Sequence, residues 1–112
     1  MKIYHNPRCT KSRQTLTLMQ ENGIEPEVVE YLKDLLTTED LSELIGFLGI
    51  EPLALVRKNE AVWKEQFKGK ELSDKEVIIA MVENPKLIGR PIVVKQKKAV
   101  LGRPPENVLQ LI

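Results

Sequence analysis

The sequence predicts an α/β protein with a four-stranded mixed sheet, and three observations carry that reading. An apolar strand passes through a polar loop into an amphipathic helix and then a second apolar strand, the spacing of a βαβ unit with a parallel pair. The middle of the chain has only helical patterning. The end of the chain has two short apolar runs around a polar turn, followed by a proline-led helix, which reads as an antiparallel hairpin and a closing helix.

Each element follows from local signals. Lys2–His5 is the first strand. Thr10 to about Glu21 is the first helix, with Leu16, Leu18 and Met19 as its apolar stripe and Asn22-Gly23 as its stop. Pro26–Tyr31, holding Val28 and Val29, is the second strand. Leu41, Leu44, Ile45 and Leu48 recur at helical spacing over 38–48, with Thr38 as cap and Gly49 as stop. Residues 52–56 and 61–67 are shorter helical pieces. A helix over 73–82 opens with Ser73 and with Glu76 three positions on, a capping box. Pro91 leads into Ile92-Val93-Val94, Lys95–Lys98 is the turn, and Ala99-Val100-Leu101 returns. Pro104 opens the last helix, with Val108, Leu109 and Leu111 as its apolar residues.

A βαβ unit, a hairpin introduced by proline and a final helix follow one another in the thioredoxin-like order. In that arrangement the first strand-to-helix turn is the reactive one, and here it holds Cys9, the only cysteine. The first turn of a helix has unpartnered N–H groups and a partial positive charge, and both favour an anion in front of it. Arg8, Lys11 and Arg13 add cationic charge nearby. Such surroundings lower a thiol below its free value of about 8.5 and make it nucleophilic near neutral pH. Position alone also admits a small buried hydrophobe with no chemistry. Thioredoxin-like redox enzymes place C-x-x-C at this turn, whereas this chain has Cys9-Thr10-Lys11-Ser12. A dithiol cycle within the chain is excluded. Ser12 can donate to a thiolate or an oxyanion, or act only as a helix cap.

Composition narrows the function classes. At 112 residues the chain is expected to be a single domain, 1–112. With 17 basic and 16 acidic residues, no broad field points to nucleic acid or an acidic membrane surface. One cysteine and one histidine, His5, cannot assemble a zinc site. With no signal-peptide apolar region and no apolar span, the expected compartment is the cytoplasm, where a free thiol stays reduced.

Three arginines stand in unusual surroundings: Arg57 in Leu55-Val56-Arg57-Lys58-Asn59, Arg90 in Gly89-Arg90-Pro91 and Arg103 in Gly102-Arg103-Pro104. Proline removes the next donor and biases its predecessor toward extended backbone. A guanidinium fork matches tetrahedral oxyanions and carboxylates, although a single arginine is more often a solvated surface charge. The Arg90-Pro91 bond is expected to be cis, because a thioredoxin-like fold needs a tight bend beside its thiol and cis bonds are almost confined to proline.

The blocks Ile3–Arg13, Asn84–Val94 and Gly102–Glu106, in this order and spacing, resemble the glutaredoxin-coupled arsenate reductase (ArsC) family across essentially the whole chain. The chain ends at Ile112 without a long extension, and with Pro105 and Glu106 it is similar to the short chromosomal branch. The resemblance implies a thioredoxin-like fold with a helical insertion between the βαβ half and the ββα half. It implies Cys9 as the catalytic nucleophile, Arg57, Arg90 and Arg103 as oxyanion-binding residues, and His5 and Ser12 as auxiliary groups. A protonated His5 would lower the thiol pKa, while a neutral His5 would only cap the strand end. The implied reaction is attack of the Cys9 thiolate on arsenate, with loss of water to leave a cysteine–arsenic adduct. Since the chain has no second thiol, glutathione supplies the next nucleophile as co-substrate, and a glutaredoxin reduces the resulting mixed disulfide to release arsenite. No bound cofactor, metal, nucleic acid or membrane is expected, and the chain is expected to be a monomer.

Three other readings fit the same pattern. A thioredoxin-like regulator of the Spx type, which docks on RNA polymerase, shares the fold, but such regulators usually carry the second cysteine that Ser12 replaces. A related thiol oxidoreductase with another substrate would use Cys9 and need fewer of the arginines. A non-catalytic domain would bury an unreactive Cys9.

Overall fold

The first strand, β1 (Lys2–Tyr4), pairs parallel with β2 (Glu27–Val29) and antiparallel with β3 (Ile92–Lys95), which pairs antiparallel with β4 (Lys98–Leu101). The sheet order is therefore β2-β1-β3-β4. Helix α1 (Thr10–Glu21) makes the crossover from β1 to β2. A parallel neighbour on one side and an antiparallel hairpin on the other make the thioredoxin-like sheet. The computed structural model describes all residues, Met1–Ile112, and the chain divides into two units: residues 1–34 with 90–112, and residues 35–89.

In the first unit the core is Ile3, Met19, Val93, Val108 and Leu111, with Leu16, Leu18 and Val100 packed against it. Of the expected stripe Leu16, Leu18 and Met19, Met19 is buried, and the other buried residues of α1 are Ser12 and Thr15. Ser12, Thr15 and Met19 lie on one helical face, and Leu16 and Leu18 flank it half-buried. Past Asn22, Gly23 takes a left-handed φ of 77°, and the Gly23 and Ile24 N–H groups donate to Gln20 O and Met19 O.

The second strand is shorter than the expected Pro26–Tyr31. Lys33 N–H and Asp34 N–H donate back to Glu30 O, so the chain turns directly after Val29, yet Tyr31 is buried. In the hairpin, Gln96 takes a left-handed φ of 57° between the paired Lys95 and Lys98. The closing element is a 3-10 helix, Pro105–Leu111, with Pro104 in front of it, rather than an α-helix opened by Pro104. Three residues per turn put Pro105, Val108 and Leu111 in line against the core and leave Leu109 outside.

The second unit is the helical segment: α2 (Thr38–Leu48), α3 (Pro52–Leu55), α4 (Ala61–Gln66), α5 (Asp74–Glu83) and a 3-10 turn, Pro85–Leu87. Thr37, not Thr38, caps α2. Its hydroxyl accepts from Asp40 N–H at 3.0 Å, and its own N–H donates to Asp40 Oδ2 at 3.2 Å, so Asp40 decides which of two adjacent threonines serves. Ser73 and Glu76 form the same reciprocal pair on α5, and these bonds hold the Glu76 carboxyl below its ordinary pKa. Leu41, Leu44 and Ile45 of α2 and Val77, Ala80 and Met81 of α5 are buried, as are Leu55 and Trp63. Trp63 stacks on Phe67 with ring centroids 5.4 Å apart. No helix is long and apolar enough to cross a membrane.

Candidate active site

The backbone of Cys9 is extended (φ −93°, ψ 122°), so helical geometry starts one residue later and the sulfur stands in front of α1. The loop from β1 is wound to hold it there. Cys9 N–H donates to Asn6 O at 3.0 Å, and Asn6 Oδ1 accepts from Arg8 N–H at 3.0 Å. Arg13 clamps the loop to the helix, donating from Nη1 to Pro7 O at 2.9 Å and from Nη2 to Thr10 Oγ1 at 3.3 Å. Cys9 is partly exposed, as a nucleophile must be.

Burial opposes ionisation of the Cys9 thiol, but it is outweighed. The Ser12 and Lys11 amides of the first helical turn favour the thiolate, and the Arg90 side chain does so by hydrogen bond and by charge. The net effect is a pKa below the ordinary cysteine value. The unpaired first-turn amides of α1 thus act as the sequence leads one to expect. The cationic side chain acting on the sulfur is that of Arg90, two residues ahead of β3, rather than those of Arg8, Lys11 or Arg13.

Ser12 serves through its amide more than its hydroxyl. Its Oγ is fully buried, accepts from Asn6 N–H at 3.1 Å and lies 2.6 Å from His5 Nδ1. With a proton on Nδ1, the hydroxyl accepts twice and its own hydrogen is free. With Nδ1 bare, that hydrogen belongs to the imidazole. His5 is 6% exposed. Burial lowers its pKa and outweighs the raising effect of Glu30, with Arg13 lowering it further. Burial thus favours the neutral imidazole, whose Nδ1 meets the Ser12 hydroxyl.

Two residues that sequence reasoning passed over complete the support. Thr15, fully buried one turn after Ser12, donates to Lys11 O at 2.9 Å and to Gly102 O at 3.3 Å. Gly102 N–H donates to Pro91 O at 2.8 Å. A Cβ on Gly102 would lie 2.7 Å from Thr15 Oγ1 and 2.8 Å from Pro91 Cγ, so glycine is required by space. The signals available were the buried-face spacing of Ser12, Thr15 and Met19 and the glycine before Arg103-Pro104; neither names its partner.

The remaining expected residues are placed as follows. Arg90-Pro91 is a cis peptide, and so is Arg103-Pro104. Arg103 is exposed at the entry to the closing 3-10 helix. Arg57 belongs to the second unit, where its N–H donates to Leu87 O at 2.7 Å, beside the Val56–Ile88 bridge. Its guanidinium donates to Glu60 Oε1 at 2.8 Å. In the first unit, then, Arg90 and the Ser12 amide bear on Cys9, and His5 meets the Ser12 hydroxyl. No group of three or more His, Cys, Asp and Glu residues is placed to hold a metal ion.

Comparison with known proteins matches this architecture. The model of the ArsC family matches residues 4–111. The uncharacterized protein YfgD of Escherichia coli K12 is 50% identical over 114 residues, covering 100% of this chain and 96% of that protein. An arsenate reductase of Haemophilus influenzae is 38% identical over 112 residues, covering 98% and 97%. The solved structure of an arsenate reductase from Vibrio cholerae superposes with a TM-score of 0.96 at 47% identity, covering 99% of this chain and 96% of that one.

Proposed function

Because the chain belongs to the ArsC family, we propose that it is a cytoplasmic, single-domain, monomeric arsenate reductase that uses Cys9 as nucleophile and takes its electrons from glutathione and a glutaredoxin. The observation that carries this reading is the stabilised thiol: a partly exposed sulfur in front of α1, favoured as thiolate by the first-turn amides and the Arg90 side chain. The same donors suit an oxyanion, since amides and a guanidinium that favour a thiolate also favour the oxygens of a tetrahedral substrate beside it.

The thiolate attacks arsenic, an arsenate hydroxyl takes a proton from solvent and leaves as water, and a Cys9–arsenic bond forms with arsenic still pentavalent. A glutathione thiolate then attacks the Cys9 sulfur. The sulfur–arsenic bond breaks with its electron pair on arsenic, which departs as trivalent arsenite, and the two sulfurs are left as a mixed disulfide. The chain holds no second cysteine to resolve that disulfide, so an external dithiol, a glutaredoxin, must do so. Arg90 offsets the oxyanion charge at the sulfur. Arg57 and Arg103 are proposed as further oxyanion ligands on the family resemblance, and His5 and Ser12 as the groups that hold the loop and the amides in place.

The test is a coupled assay of NADPH consumption with glutathione, glutathione reductase and glutaredoxin. Arsenate-dependent turnover is expected in the wild type and absent in Cys9→Ser. Arg90→Lys keeps the charge but loses the fork, and is expected to lose roughly ten- to a hundredfold in turnover. No arsenate-dependent turnover in folded wild-type protein, or turnover surviving in Cys9→Ser, would overturn the proposal.

A further inference from the structure

We infer that the second unit carries a docking pocket for an acidic segment of a partner protein, one that inserts a large apolar side chain between carboxylates. The inference does not depend on the chemistry of Cys9. The end of α4 builds the pocket. Trp63 and Phe67 stack one helical turn apart, and the Phe67 and Lys68 N–H groups both donate to Trp63 O at 2.9 Å. Beyond them Gly69 takes a left-handed φ of 81°, and Lys70 N–H turns back to Phe67 O at 3.1 Å. That turn keeps Lys68 and Lys70 beside the aromatic pair, and Lys58, from the segment between α3 and α4, joins them in the lining. Leu53 and Leu72 extend the apolar floor.

Charge selects the kind of partner. Every charged residue in the lining is a lysine. All three are exposed and none is in an ion pair, so each is available to a carboxylate. Glu60, the acid nearest Lys58 in sequence, is held by Arg57 at 2.8 Å, and Glu71, beside Lys70, is not in the lining. The floor supplies the second half of the match. Leu53 is 40% exposed, and Phe67 and Leu72 are half-buried, so an apolar side chain entering the pocket removes this surface from water. An apolar anchor in a pocket, ringed by charged contacts, is how protein segments dock. Size and shape exclude the other occupants. The volume of about 240 Å³ is room for one side chain and lies below the roughly 300–1,000 Å³ of small-molecule sites. A lipid surface takes up apolar groups that project, whereas these lie in a recess.

Trp63 is the only tryptophan and lies in the floor, so its emission reports occupancy. The probe is a capped peptide of one leucine with a pair of glutamates on each side, titrated into the full chain by emission and by calorimetry. Saturable binding is expected, weakened by added salt and weakened roughly tenfold when serine replaces the leucine. Lys68→Glu combined with Lys70→Glu is expected to weaken it roughly tenfold, and a peptide with lysines in place of the glutamates should bind that variant better than the wild type. Leu53→Ser, which keeps the lysines, should weaken the leucine peptide and leave the serine peptide unchanged. Lys95→Glu, Lys97→Glu and Lys98→Glu together reverse the exposed hairpin charges and should change nothing. No saturable binding of the leucine peptide, or equal weakening by the two sets of lysine changes, would overturn the inference. So would tighter binding of phenylacetate or of phosphatidylserine vesicles, because the pocket would then be a small-carboxylate site or a lipid contact.

Discussion

Replacing Gly102 by alanine tests how the active-site support is packed. The new methyl would sit 2.7 Å from Thr15 Oγ1, 2.8 Å from Pro91 Cγ and 3.0 Å from Thr15 Cγ2. Ordinary contact begins near 3.4 Å, so the first two atoms are too close by 0.7 and 0.6 Å. Neither neighbour can yield freely. Thr15 is fully buried and its hydroxyl is held by Lys11 O and Gly102 O, while Pro91 is a buried ring whose carbonyl accepts from Gly102 N–H. Overpacking of this kind costs about 1–3 kcal/mol, and weakening the Thr15–Gly102 bond adds to it, so a loss of about 2–3 kcal/mol is expected in urea denaturation. Relief by pushing Pro91 away would also carry Arg90 from the Cys9 sulfur, so the thiol should titrate closer to an ordinary cysteine in alkylation against pH. Thr15→Ala removes Oγ1 and Cγ2 and leaves only the Pro91 Cγ contact, and the double variant should lose less than the two single variants combined. Wild-type stability in Gly102→Ala, or strictly additive losses in the pair, would refute the packing argument.

Ser12→Ala should destabilise the protein by about 1–3 kcal/mol, because Asn6 N–H loses its acceptor in a buried site. It should leave the alkylation inflection of Cys9 nearly in place, since the residue 12 amide that favours the thiolate is kept; an inflection at the free-cysteine value would show that the hydroxyl matters more. His5 should titrate below its ordinary value of 6.5 by imidazole NMR. A depressed folded pKa means that the stability His5 contributes is complete above its unfolded value and is lost as pH falls through the folded value. Unfolding measured downward from pH 7 should therefore show a loss that is absent in His5→Asn, and an imidazole titrating above 6.5 would contradict the assignment. Ser73→Ala should cost about 1 kcal/mol through loss of the α5 cap, readable in thermal unfolding and independent of Cys9 reactivity.

The sequence by itself determined the elements whose signals are local. The Cys9 helix start, the Ser73–Glu76 cap, the hairpin around Lys95–Lys98 and the βαβ spacing all depend on residues within a few positions of one another, where backbone hydrogen bonding and side-chain periodicity decide. Even the failures were local competitions. Thr37 displaced Thr38 because Asp40 answers it, and the final helix tightened to 3-10 because a period of three buries Pro105, Val108 and Leu111 together. Tertiary structure decided what required two distant segments. Among the candidate arginines, Arg90 is the one shown bearing on the thiol, because β3 pairs with β1 and delivers the Arg90-Pro91 segment ahead of it to the start of α1. Burial lowered the His5 pKa and turned Ser12 and Thr15 inward, and desolvation of that kind has no local signature. Gly102 carried no visible requirement until Thr15 and Pro91 closed on it, since close packing is a property of the surfaces that meet and not of either sequence segment alone.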